Sequence, residues 1–193
     1  MKTMHYKLDS TRQWLQPARR VASPNCDERP DAGDIDLLVL HGISLPPGEF
    51  GGDYVEQLFS NRLDPQAHPY FDKLRDMRVS AHLFIDRGGA VTQFVPLLKR
   101  AWHAGESSFC GRDACNDYSI GIELEGTDET PYAAAQYETL RAVIVILRQA
   151  WPAIGQDRIV GHADIAPGRK TDPGPAFDWT ELGLAPPGGA ERS

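Results

Sequence analysis

The stretch Ser-Ile-Gly-Ile-Glu-Leu-Glu at residues 119–125 alternates between apolar and other side chains along its length. Successive side chains of a β-strand point to opposite faces of the sheet, so its two isoleucines and its leucine would share one apolar face. The opposite face would carry Gly121, Glu123 and Glu125. The stretch therefore predicts a strand with one face directed into a hydrophobic core.

More strands are predicted on both sides of this stretch. Residues 35–41 form a short apolar run, which is typical of a strand buried on both faces. Residues 79–85 and 90–95 flank an Asp-Arg-Gly-Gly turn, a pattern that strongly indicates a β-hairpin. Residues 158–160 predict a last, short strand that leads into His162.

Helices are predicted between these strands. The longest would begin with Thr130 as its cap and Pro131 at its first position. It would end at the Trp-Pro pair at 151–152, because the residue before a proline disfavours helical geometry. Residues 53–59 and 70–76 predict two short helices.

The order of these elements predicts an α/β fold with a mixed central β-sheet flanked by helices. We expect one domain over residues 1–193, with its core at about 19–179. The polar, turn-rich residues 1–33 would wrap over that core, and the Pro/Gly-rich residues 185–193 would form a flexible tail.

The composition limits the classes of partner. The chain is 41% hydrophobic with a formal net charge of −7, which argues against nucleic acid or an anionic membrane as partner. We expect a monomer that acts on a small soluble substrate. No signal-like apolar N-terminal segment is present, and no run approaches the roughly 20 apolar residues of a membrane span. Together with an odd number of cysteines, three, this predicts a cytoplasmic protein.

A Pro/Gly-rich loop at residues 161–174 predicts a metal site. His162 and Asp172 lie ten positions apart on this loop and can turn back onto one ion. With His41, at the end of its predicted strand, they would form a zinc site that leaves the fourth position open, as hydrolysis requires. Asp164 competes with Asp172, and spacing alone does not decide between them. We favour Asp172 because the Thr-Asp-Pro-Gly sequence fixes the backbone there.

Lys170, the two glutamates of the 119–125 stretch and the other histidines also need an interpretation. Lys170 would face the same side as Asp172 and stabilise an oxyanion, or be an ordinary surface lysine. Glu123 and Glu125 would be buried, one of them as a general base, or their face of the strand is simply solvated. Of the other histidines, we assign no role to His5 and His68, interpret His82 as a hydrogen-bonded residue near the site, and leave His103 between a substrate contact and a structural role.

Four stretches carry a resemblance to a known family. They are Leu-Pro-Pro-Gly-Glu-Phe-Gly-Gly at 45–52, Arg-Ala-Trp-His-Ala-Gly at 100–105, Cys-Asn-Asp-Tyr followed by the alternating strand and Gly-Thr-Asp at 115–128, and the 161–174 loop. On these, the chain resembles the AmpD family, the cytosolic 1,6-anhydro-N-acetylmuramyl-L-alanine amidases of Gram-negative bacteria, from about residue 19 to 179. The wider group includes phage-type zinc amidases and peptidoglycan-recognition proteins.

The resemblance implies an activity and a set of roles. Zinc would be bound by His41, His162 and Asp172, with Glu123 as general base and Lys170 at the oxyanion. The amide between the lactyl group of anhydro-muramic acid and L-alanine would be cut in anhydro-muropeptides during peptidoglycan recycling. Degradation of these muropeptides would also lower the signal that induces β-lactamase.

The resemblance also implies substrate contacts, and the chain differs from its relatives beside the first ligand. Arg78 matches a basic residue that holds the peptide carboxylates, Ala166 would offer a backbone contact, and we add Trp102 to the substrate-binding set. Relatives usually have Asn after the first ligand, where this chain has Gly42. Two alternatives stay open: an amidase of the same fold that acts on intact peptidoglycan, and a muropeptide-binding module without catalysis.

Overall fold

The computed structural model describes residues 5–185, in which strands, α-helices and short 3-10 helices alternate. The α-helices are α1 (Tyr54–Phe59), α2 (Ala134–Ala150) and α3 (His162–Ile165). The 3-10 helices lie at Pro69–Leu74, Cys115–Asp117, Gln156–Arg158 and Trp179–Leu182. The strands are β1 (Lys7–Leu8), β2 (Leu15–Gln16), β3 (Arg19–Arg20), β4 (Cys26–Glu28), β5 (Leu37–Ile43), β6 (Leu83–Ile85), β7 (Val91–Gln93), β8 (Lys99–Ala101), β9 (Ser108–Phe109), β10 (Arg112–Asp113), β11 (Ser119–Glu125) and β12 (Ile159–Gly161).

Six of these strands form the main sheet, in the order β12-β5-β11-β6-β7-β3. All neighbours are parallel except β6 and β7, which form the antiparallel hairpin. The predicted mixed central sheet with flanking helices is therefore confirmed. The stretch at 119–125 is the inner strand β11, with the bounds that its alternation predicts.

The alternation of side chains divides the core into two layers. Ile122 and its even-numbered neighbours on β11 pack with Leu38 and Leu40 of β5 against the stripe of α2 that contains Leu140 and Val143. The odd-numbered residues of β5 face the other side, among them Leu37 and Val39, which join a second cluster. All seven residues of β11 are buried, so the face that carries Glu123 is covered rather than solvated.

Several boundaries differ from the sequence prediction. The hairpin strands are Leu83–Ile85 and Val91–Gln93, shorter than the predicted 79–85 and 90–95. Strand β5 continues two residues past His41 to Ile43, because its ladder with β11 extends to the pair Ile43–Glu125. Helix α2 begins at Ala134, not at the predicted cap Thr130. The hydroxyl of Thr127 accepts the backbone N–H of Thr130 and forms a turn there, and Gln136 caps the helix by accepting the N–H of Ala133.

The N-terminal segment and the second short helix also differ from the sequence prediction. Residues 5–33 do more than wrap the core, since β3 joins the main sheet as its edge strand. The predicted helix at 70–76 is the 3-10 helix Pro69–Leu74, capped by the ring of His68. The predicted tail lies outside the described residues except for Ala185. No helix between residues 5 and 185 combines the length and the apolar character that crossing a membrane requires.

The packing of α2 generates a stability prediction. Leu140 is fully buried on this helix, whereas Val145 is 53% exposed. We expect Leu140→Ala to lower the free energy of unfolding by about 2–5 kcal/mol, because it removes buried methyl groups and leaves a cavity. The matched change Val145→Ala should alter it by less than about 0.5 kcal/mol. Urea titration of both variants measures this, and equal losses would contradict the assignment of the buried stripe.

Candidate metal and catalytic site

The site lies at the carboxyl ends of three neighbouring parallel strands. In the register of β5 and β11, His41 pairs with Glu123, so both side chains point to the face away from α2. On the other side of β5, β12 ends at Gly161 and His162 follows as the first residue of α3. Strand order alone therefore brings these three side chains to one place.

His41, His162 and Asp172 converge on one point. The Nδ1 atoms of the two histidines lie 2.9 Å apart, and each lies 3.1 Å from Oδ2 of Asp172. Both rings are buried, whereas the carboxylate of Asp172 is 17% exposed. Among the described residues, these three form the group of acidic, histidine and cysteine side chains that could hold a metal ion.

Asp164 is not part of this group. Its Oδ2 accepts the backbone N–H of Gly161 at 2.7 Å, so this carboxylate closes the turn into α3. The loop instead folds back to present Asp172, whose carbonyl oxygen accepts the N–H of Ala163 at 3.0 Å. Of the two aspartates that spacing leaves open, the structure brings Asp172 to the histidines.

The electrostatics of the three side chains suit a cation. Burial lowers the pKa of His41 to about 4, so this ring is neutral and has a lone pair to offer. Burial alone would raise the pKa of Asp172, but its close polar contacts with His162 and His41 outweigh burial and lower the pKa far below its ordinary value. Two imidazoles and one carboxylate are a donor set that proteins use for zinc and related divalent ions. The residues present therefore fit a metal.

Glu123 and Glu125 have different surroundings. Both oxygens of Glu125 accept backbone N–H groups, from Gly51 on one side and from Arg87 at 3.0 Å on the other. Oε2 of Glu123 is buried without a hydrogen-bond partner. Burial, then the nearby Asp172, raise the pKa of Glu123 well above its ordinary value, and Lys170 offsets part of this. Glu125 thus holds two loops together, whereas Oε2 of Glu123 makes no hydrogen bond.

The metal group and Glu123 open into a cavity of about 520 Å³. Lys170 is exposed and lines this cavity together with Asp172, as its position two residues earlier predicts. An apolar wall of this cavity comes from the loop after β5, from α1, from the 3-10 helix Pro69–Leu74 and from the residues that follow this helix; it includes Leu45, Leu58, Phe59, Tyr70, Leu74, Met77 and Val79. The sequence does not predict this wall, because its residues belong to separate predicted helices, a loop and a strand.

The predicted substrate contacts are not among the residues that line this cavity. Arg78 is exposed and donates to the carbonyls of its chain neighbours Arg75 and Met77. Trp102 is half-buried. Ala166 lines a separate depression, and both its backbone groups are bonded within the 161–174 loop. Substrate contacts by these three residues stay predictions.

The remaining histidines have separate places. His82 is fully buried, accepts the N–H of Gly121 through Nδ1 and contacts the carbonyl of Lys99 through Nε2. It is thus hydrogen-bonded near the site, as the sequence predicts. His103 is also buried and reaches the cavity, where its ring contacts that of His41. His5 is exposed.

Gly42 is enclosed by a neighbouring tyrosine. A Cβ at this position would lie 2.2 Å from the hydroxyl of Tyr132. That hydroxyl donates to the carbonyl of Pro173 at 3.0 Å, directly after Asp172 in the chain. Any side chain at position 42 would therefore displace Tyr132 and disturb the loop that presents Asp172.

The raised pKa of Glu123 generates a pH prediction for the metal-free protein. Above the ordinary value of 4.5, the native state keeps this proton longer than the unfolded chain does. Stability from this source therefore falls as the pH rises. Glu123→Gln removes this proton site. The free energy of unfolding of the variant, relative to that of wild type, should therefore increase as the pH rises from 4.5 to neutrality. Urea titrations of EDTA-treated proteins measure the difference, and a pH-independent difference would contradict it.

Comparison with known proteins shows the family of this chain. The family model for N-acetylmuramoyl-L-alanine amidase matches residues 31–175. The 1,6-anhydro-N-acetylmuramyl-L-alanine amidase AmpD of Escherichia coli K12 is 58% identical over 169 residues, which cover 88% of this chain and 92% of that protein. A crystal structure of selenomethionyl AmpD superposes with a TM-score of 0.87 at 56% identity, covering 91% of this chain and 96% of that chain.

A more distant structure contains a ligand. It is the complex of the amidase AmiD from E. coli with anhydro-N-acetylmuramic acid-L-Ala-D-γ-Glu-L-Lys, described as its substrate. It is 28% identical, with a TM-score of 0.57 over 93% of this chain and 65% of that one. The family match and the identity to AmpD confirm the resemblance found in the sequence, and this chain belongs to the N-acetylmuramoyl-L-alanine amidase family.

Proposed function

We propose that this protein is a zinc-dependent amidase of anhydro-muropeptides, active in the recycling of peptidoglycan. It would cut the amide between the lactyl group of 1,6-anhydro-N-acetylmuramic acid and L-alanine. The single observation that carries this is the buried, unpartnered oxygen of Glu123 beside the group His41, His162 and Asp172. The identity to E. coli AmpD and the ligand in AmiD support the choice of substrate.

His41, His162 and Asp172 would hold the zinc ion. Zinc in such a site supplies a Lewis acid and makes water a stronger nucleophile at neutral pH. Its donors are already in place, since the two Nδ1 atoms and Oδ2 of Asp172 lie within 3.1 Å of one another. Little rearrangement is then needed to complete the site.

Glu123 would move the proton during the reaction. The oxygen of water attacks the lactyl carbonyl carbon, and the carboxylate of Glu123 takes the proton that this water loses. When the carbon–nitrogen bond breaks, Glu123 gives that proton to the nitrogen of alanine. A glutamate carboxylate suits both steps, because it can take the proton as a base and then return it as an acid.

Lys170 would stabilise the negative charge that develops on the carbonyl oxygen. Its ammonium lines the same cavity as Glu123 and Asp172. The apolar wall of the cavity would exclude water, which strengthens the electrostatic contacts. We also propose a cytoplasmic location, which the three free cysteines support. The proposed oligomeric state is a monomer.

The metal ligands generate a zinc-binding prediction with a matched control. Asp172→Asn should weaken zinc binding by at least about tenfold, because it removes the anionic ligand. Asp164→Asn should retain the wild-type affinity and lose some stability at most, since Oδ2 of Asp164 accepts the backbone N–H of Gly161 and Asp164 is not one of the three converging side chains. Competition with a chromophoric chelator measures both affinities. A larger loss of zinc affinity in Asp164→Asn than in Asp172→Asn would contradict the ligand assignment.

The catalytic prediction concerns Glu123. Wild type with bound zinc should release free tripeptide from anhydro-muramyl tripeptide, as seen by mass spectrometry. Glu123→Gln should lower kcat by about 10²–10⁴-fold while it keeps its zinc, because only the proton transfer is lost.

Two outcomes would overturn this proposal. Efficient release of stem peptides from purified sacculi, with little turnover of the anhydro-muramyl tripeptide, would favour an amidase of intact peptidoglycan. Tight binding of the tripeptide by the zinc-loaded wild type without turnover would favour a binding module.

A further inference from the structure

A chain of three buried polar side chains runs from the metal group into the protein. Nε2 of His41 lies 3.0 Å from Nδ1 of His103. Nε2 of His103 lies in turn 3.1 Å from the hydroxyl oxygen of Ser119. None of the three residues is more than 8% exposed. The proposed catalytic steps make no use of His103 or Ser119.

The two histidines of the metal group are held differently on the side away from the metal. Nε2 of His162 lies 3.1 Å from the carbonyl oxygen of Ala104. A carbonyl can only accept, so this nitrogen carries the proton and Nδ1 of His162 keeps its lone pair. His41 faces another imidazole instead, which can either donate or accept. The position of the proton on His41 therefore depends on His103.

The surroundings fix the ring of His103 in place. A Cβ at Gly121 would lie 2.5–2.7 Å from three atoms of this ring, so the ring occupies the space that a side chain at 121 would need. The side chain of Asn116 accepts the backbone N–H of His103 at 3.1 Å. Ser119, Gly121 and Glu123 alternate along β11, so one strand supplies the contact to His103, the space for it and the general base.

We propose that His103 is a positioning residue that selects the metal-binding nitrogen of His41. Ser119 accepts the proton of Nε2 on His103, which leaves Nδ1 of His103 to accept from Nε2 of His41. The lone pair of His41 Nδ1 then points to His162 and Asp172. In the opposite tautomers, the proton would lie on Nδ1 of His41, between the metal ligands. This inference rests on the proposed zinc site.

A pair of variants with matched shapes tests it through zinc affinity. His103→Leu removes the acceptor and leaves the N–H of His41 buried without a partner, so zinc should bind about 10–100-fold more weakly. His103→Asn branches at the same atom and restores an acceptor near the place of Nδ1, so the affinity should return to near that of wild type. Chelator competition measures this, with unfolding curves for both variants. Equal zinc affinity in wild type and the Leu variant would overturn the inference.

The tautomers of His41 and His103 in the wild-type protein provide a second test, which does not depend on the folding of any variant. Long-range ¹H–¹⁵N correlation spectra of the zinc-loaded protein report which ring nitrogen carries the proton. His41 and His103 should both carry it on Nε2. A proton on Nδ1 of His103 would overturn the inference.

The two proposals fail in different ways. If the wild type binds no zinc, the proposed function fails and this inference fails with it. If the wild type binds zinc through His41 but the Leu variant binds it as tightly, only the role of His103 fails.

Discussion

The site depends on the parallel register of β5 and β11. Seven residue pairs join these strands, and the pair His41–Glu123 sits in that ladder. A shift by one residue would turn one of the two side chains to the face that packs on α2. The register is held by the hydrophobic face, where Ile122 and Leu40 are themselves paired and fully buried. Apolar packing on one side of the sheet thus determines the chemistry on the other.

Polar groups on this covered face are tolerated because almost all of them have partners. Glu125 accepts two backbone N–H groups, and the histidines bond one another, Ser119 and backbone carbonyls. Glu123 departs from this pattern, with one oxygen buried and unpartnered. A buried carboxylate without partners is costly, and such costs are typical of catalytic positions. The same argument separates the two glutamates, which alternation along the strand could not do.

Most of the fold could be predicted from periodicity, because the alternating strand, the apolar run, the Gly-Gly hairpin and the long helix are local patterns. The start of α2 could not, since Thr127 forms a turn before the predicted cap and Gln136 caps the helix from inside. The backbone context in the sequence favours Asp172 as the carboxylate ligand. Only the folding back of the loop decides between Asp172 and Asp164. The apolar wall and the contact between His103 and His41 join segments far apart in the chain, and no local pattern carries such information.

The most direct test of this account is the position of the metal. Crystals of the zinc-loaded protein, measured at the zinc absorption edge, should show one anomalous peak. It should lie at about 2.0–2.2 Å from Nδ1 of His41, Nδ1 of His162 and an oxygen of Asp172, with Glu123 nearby but not bound. A peak ligated by Asp164, or by Nε2 of either histidine, would contradict the account.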